Sequence, residues 1–112
     1  MSDLHCPATV LLVGPDQDAR AVSRFRNRRV AAVYADSAPA SVSTARRIAD
    51  VLGVGTPPLQ AATATPEALR ALGDQHRGET VLVVSADPAA CGYRLPVELE
   101  VDELGLRLVP SS

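Results

Sequence analysis

The sequence predicts an α/β fold: a three-layer sandwich in which a mostly parallel sheet is flanked by helices and ends in an antiparallel hairpin. Three observations carry that prediction. Residues Ala8–Val13, Val30–Ala35 and Thr80–Ser85 are short, nearly unbroken apolar runs. A strand without a solvent face belongs inside a sheet that is covered on both sides. The stretches between these runs repeat their apolar residues at helical spacing, which supplies the cover. Beyond Pro96 the pattern changes to strict alternation, in Val97–Val101 and again in Leu106–Leu108, the mark of half-buried antiparallel strands.

In chain order, residues 1–7 form a lead-in ending at Pro7, and Ala8–Val13 is the first strand. Gly14-Pro15-Asp16 breaks it. Asp16 or Asp18 caps a helix running to about Arg26, with Ala19, Val22 and Phe25 on its inner face. Arg24, Arg26, Arg28 and Arg29 gather near its end, where cations complement the helix dipole. Val30–Ala35 is the second strand. Ser37 is the expected N-cap of the next helix, with Pro39 in its first turn. Val42, Ala45, Ile48, Ala49 and Leu52 make its apolar stripe, and Gly53 ends it. Residues 57–60 read as a short edge strand, since proline suits an edge. Thr65, Pro66 and Glu67 start a third helix with Leu69 and Leu72 inward, and His76-Arg77-Gly78 closes it. After the Thr80 strand, Pro88–Pro96 is irregular, with one turn of helix at most. Asp102 to Gly105 then turns the terminal hairpin.

Composition removes several function classes. The chain of 112 residues fits one domain spanning residues 1–112, and 46% hydrophobic residues suffice for a core. Aromatics are only 3%, so the core is built from Ala, Val and Leu. All eleven basic residues are arginine; without lysine there is no Schiff base and no Walker lysine. A formal net charge of −2 gives no footprint for nucleic acid or an anionic membrane. No apolar run approaches the ~20 residues of a membrane span. The N-terminus lacks the basic and apolar regions of a signal peptide, so a cytoplasmic protein is expected. Cys6 and Cys91 then read as free thiols.

Three ordered segments carry a resemblance. Thr9-Val-Leu-Leu-Val13 is followed by Gly14-Pro-Asp-Gln17. Val30-Ala-Ala-Val-Tyr-Ala35 continues through Asp36-Ser-Ala-Pro39 to Thr44-Ala45. Gly78-Glu-Thr-Val-Leu-Val-Val-Ser85 is followed by Ala86-Asp87. Together they resemble the histidine phosphatase superfamily, the phosphoglycerate-mutase-like fold, over about two-thirds of the chain. In that family the first strand runs into Arg-His-Gly-Glu, the second into Ser-Pro-Leu-x-Arg-Ala, and the third into Ser-His-Gly. The resemblance places the nucleophilic histidine on Pro15, its flanking arginine on Gly14, the second arginine on about Ala40 and the second histidine on Ala86. Proline and alanine neither accept a phosphoryl group nor stabilise its charge. The family's long insert between the second and third signatures is almost absent. The chain is therefore expected to be a minimal member without the catalytic residues, a pseudoenzyme.

Asp16, Asp36 and Asp87 follow the three interior strands and stand at the sheet edge where α/β folds keep their sites. As a set they are the candidate ligand-binding residues, and clustered carboxylates suit a hard cation such as Mg²⁺. The plainer role of each is to cap the next helix or turn, which Asp does routinely. Other nucleophiles lack support: Ser37 and Ser85 have no positioned histidine, Cys91 has no local motif, and Gly14 stands outside any glycine-rich fingerprint. His76 reads as a solvent-exposed loop residue. The expected function is a non-catalytic accessory or protein-binding domain, with a protein partner or a homo-oligomer. Its candidate contact surfaces are the terminal hairpin and the proline-rich edge near Pro57. The alternative is a small enzyme or sensor that holds a ligand or divalent ion on the three aspartates.

Overall fold

The structure is a computed structural model, and it describes residues 7–14, 29–54, 59–60, 66–86, 97–102 and 105–108. Among the described residues eight elements follow in order: β1 (Ala8–Val13), β2 (Val30–Ala35), α1 (Pro39–Leu52), β3 (Leu59–Gln60), α2 (Pro66–Gln75), β4 (Thr80–Val84), β5 (Val97–Asp102) and β6 (Gly105–Leu108). The helix expected after Asp16, Cys6, Cys91, Pro57 and the Pro88–Pro96 stretch lie outside the described residues.

The six strands form one mixed sheet in the order β3-β2-β4-β1-β5-β6. β1 runs parallel to β4, from Thr9 opposite Thr80 to Val13 opposite Val84. β2 runs parallel to β3 and β4. On its other side β1 is antiparallel to β5, with Leu11 opposite Glu98. β5 and β6 are antiparallel, with Asp102 opposite Gly105. The parallel strands β1, β4 and β2 are therefore the ones read from unbroken apolar runs, β3 is the short edge strand expected in residues 57–60, and the antiparallel β5 and β6 are the ones read from alternation.

Why the runs are apolar at every position is visible in the packing. Val10 and Leu12 of β1 join Val81 and Val83 of β4 and Leu99 and Val101 of β5 in one buried cluster, with Leu69 of α2 among them. Leu11, Val13, Leu82 and Val84 point the other way and pack with Ala45, Ile48 and Ala49 of α1. Successive side chains alternate across a strand, so a sheet with a helix on each face needs apolar residues at odd and even positions alike. A bulge in β2 keeps its register: the pairing with β4 shifts between Val30 and Ala32. The extra residue, Ala31, is exposed, and Val30 and Val33 end on the same face although they are three apart. Arg29 enters β2 with φ 53°, a left-handed conformation that L-residues adopt at a cost.

α1 begins one residue later than expected. Ala38, at φ −66° and ψ 132°, is its N-cap, and Pro39 opens the first turn. Proline disfavours a helical residue before it, which moves the cap from Ser37 to Ala38. Ala38 has no side chain to cap with, and no side-chain cap bond is made. At the other end Gly53 turns left-handed at φ 74°, and the Val54 N–H reaches back to the Ala49 carbonyl at 2.9 Å. That closure spends a conformation only glycine adopts cheaply. The buried stripe of α1 also differs from expectation. Ser41, Thr44, Ala45, Ile48 and Ala49 are buried, while Val42 and Leu52 are partly buried at its margin. α2 packs on the opposite face and comes closest at Gly73. A Cβ there would stand 2.4 Å from the Val101 Cβ, so the helix can lie this near β5 only because position 73 has no side chain. Among the described residues no helix is long and apolar enough to cross a membrane.

Candidate functional site

The topology gathers the ends of three strands. β4 lies between β1 and β2, so the residues after each are neighbours at the carboxyl edge. Gly14 follows β1 and is buried, Asp36 follows β2, and Ser85 and Ala86 follow β4. Ser85 donates its N–H to the Val13 carbonyl at 2.9 Å, and Asp36 donates its own to the Val84 carbonyl at 3.1 Å. Each strand's ladder thus runs one residue beyond its last paired position.

The Asp36 carboxylate completes this edge. Its Oδ1 accepts the Ala38 N–H at 3.1 Å, two residues on, which is an Asx turn leading into α1. Its Oδ2 accepts the Ala86 N–H at 2.7 Å, fifty residues away in sequence. One side chain therefore shapes the β2–α1 turn and joins the ends of β2 and β4. Such bonds from backbone N–H groups to a carboxylate are charge-assisted and stronger than neutral ones. Of the three aspartates expected to share a ligand, only Asp36 is among the described residues; Asp16 and Asp87 lie outside them. For Asp36 the structure displays the turn-capping role, with a cross-strand bond added. Among the described residues no group of three His, Cys, Asp or Glu stands close enough to hold a metal ion.

Beside this carboxylate, the first turn of α1 contains a hydroxyl that sequence reading passed over. Ser41 is fully buried, and its Oγ has no hydrogen-bond partner. It faces the sheet with Thr44 and Ala45, where small side chains let α1 approach. Leaving a buried hydroxyl unpaired costs about 1–3 kcal/mol. Ala40 and Ala86, two of the positions that the resemblance matched to catalytic side chains, are exposed at this edge.

A second polar constellation lies in the connection between α2 and β4. The Tyr34 hydroxyl and His76 Nε2 are 2.8 Å apart, and His76 Nδ1 is 2.8 Å from Glu79 Oε1. A carboxylate only accepts, so Nδ1 carries the hydrogen; in the neutral imidazole Nε2 then accepts from the phenol. The two rings meet edge to face, with centroids 5.7 Å apart at 75°. His76 was expected to be a solvent-exposed loop residue. Instead its side chain is 17% exposed and fixed at both nitrogens. The cause is Tyr34, which sits on an interior strand and is 9% exposed. A buried phenol needs a partner for its hydroxyl, and His76 is that partner. The signals in the sequence were the lone tyrosine in an interior strand and the His76-x-x-Glu79 spacing.

Carboxylate, imidazole and hydroxyl in line resemble the order of a nucleophilic triad, but the oxygen here is set up differently. Burial, and then the charge of Glu79, push the Tyr34 phenol above its ordinary value of 10.0. The raised value keeps this phenol neutral, as the donor to the imidazole. The constellation ties the α2–β4 connection to β2. Next to it the Arg77 Nη2 pairs with Asp74 Oδ1 at 2.7 Å.

Comparison of the chain with protein-family models, curated proteins and solved structures returned no match.

Proposed function

We propose that this chain is a non-catalytic α/β domain that acts as an accessory or protein-binding subunit in the cytoplasm. The observation that carries this reading is the engagement of Asp36. Both oxygens of the carboxylate at the sheet's carboxyl edge are committed to backbone N–H groups of the fold, Ala38 and Ala86. The edge that holds chemistry in many α/β proteins is here drawn together by its own polar side chain. The His76 imidazole is likewise engaged at both nitrogens, away from that edge. In this reading the domain is a three-layer sandwich closed by the β5–β6 hairpin, a minimal histidine-phosphatase-like scaffold kept for its surface. The hairpin and the β3 edge are its contact surfaces, toward a protein partner or a second copy of the chain.

The test is native purification of the tagged chain from its own host, with mass spectrometry of what accompanies it. A stoichiometric protein companion, or a defined homo-oligomer on sizing, is the expected result. A chain that emerges alone and monomeric counts against the proposal, and turnover of generic phosphomonoesters that survives rigorous repurification overturns it. The second reading, a Mg²⁺ site on Asp16, Asp36 and Asp87, predicts a rise in melting temperature with Mg²⁺ that Asp36→Ala abolishes. An unchanged melting temperature removes it.

A further inference from the structure

We draw no further inference here: the strongest candidate, the N-terminal turn of α1 with the buried and unpartnered Ser41 hydroxyl, belongs to the carboxyl edge already described, where the chain's own Asp36 carboxylate takes up the Ala38 N–H.

Discussion

Gly73→Ala is the substitution that most directly tests how this fold is packed. In an exposed helix the change would stabilise by about 1 kcal/mol, because glycine is a poor helix former. Here the added Cβ would meet the Val101 Cβ at 2.4 Å, Cγ2 at 2.6 Å and Cγ1 at 2.7 Å. Carbon atoms in contact normally stand about 3.5–4.0 Å apart, so the shortfall is about 1 Å against three atoms at once. No rotamer change relieves it, since the nearest atom is the Cβ of Val101 itself. That residue is fully buried, and its strand is paired with Ala8 on one side and Leu106 on the other. Either α2 or β5 must move. Overpacking of this kind costs roughly 1–3 kcal/mol, and a clash with a strand atom belongs at the upper end. After the gain in helix propensity, the net loss expected is about 2 kcal/mol. That corresponds to a melting temperature lower by roughly 10 °C for a domain near this size. Urea unfolding would measure it, with an unchanged slope showing that the native state remains compact. A double-mutant cycle with Val101→Gly removes the opposing Cβ and should return a coupling of about 1 kcal/mol or more. A neutral or stabilising Gly73→Ala, or a cycle with no coupling, would refute the close α2–β5 approach.

Four further outcomes follow from the polar groups. Ser41→Ala deletes a buried hydroxyl without a partner and should raise stability by roughly 1–2 kcal/mol in urea unfolding; a loss would mean that the hydroxyl is bonded. Asp36→Ala removes the bond that shapes the β2–α1 turn at Ala38 and the bond that joins it to Ala86 and should cost about 2–3 kcal/mol. Were Asp36 instead a strained member of an acidic cluster, the same variant would gain stability. Tyr34 has its folded value raised, so folding disfavours the phenolate. Its contribution is fully present below about pH 10 and is lost as pH rises through the folded value. Stability measured at about pH 8 and about pH 10.5 should therefore fall more steeply in the native chain than in Tyr34→Phe; parallel slopes would contradict the buried phenol. His76→Ala should cost about 1–3 kcal/mol by orphaning that phenol, and Tyr34→Phe in the same chain should recover part of it.

The fold was legible wherever one rule of patterning sufficed. Val81–Val84 is apolar at every position, and both faces of that strand are covered. Val97–Val101 alternates, and Leu99 and Val101 are buried where Glu98 and Glu100 are not. What escaped were features that depend on two distant residues at once. Nothing local to Gly73 announces Val101, and nothing local to Asp36 announces Ala86. Ser37 looked like a cap because serine caps helices, and it lost that position to the constraint Pro39 imposes on the residue before it. His76 was read from its place in a connection, when the need of Tyr34 for a hydrogen-bond partner determined its surroundings. Asp36 was read at the carboxyl edge from its place after β2, but its side-chain partners there are backbone N–H groups, which carry no sequence signature.

The order of the sheet also has a consequence in time. Among the described strands β1 is made first, yet it lies between β4 and β5, which come later. Until they emerge, a nascent chain carries an apolar strand with neither neighbour, and closing so long a loop costs entropy before pairing returns anything. Local helix formation in α1 and α2 does nothing to shelter it on the hydrogen-bonding side. During synthesis, then, the hazard for this molecule is the waiting time of β1, when an unpaired strand can find another chain or a chaperone first. Stability gained in the finished fold does not shorten that wait.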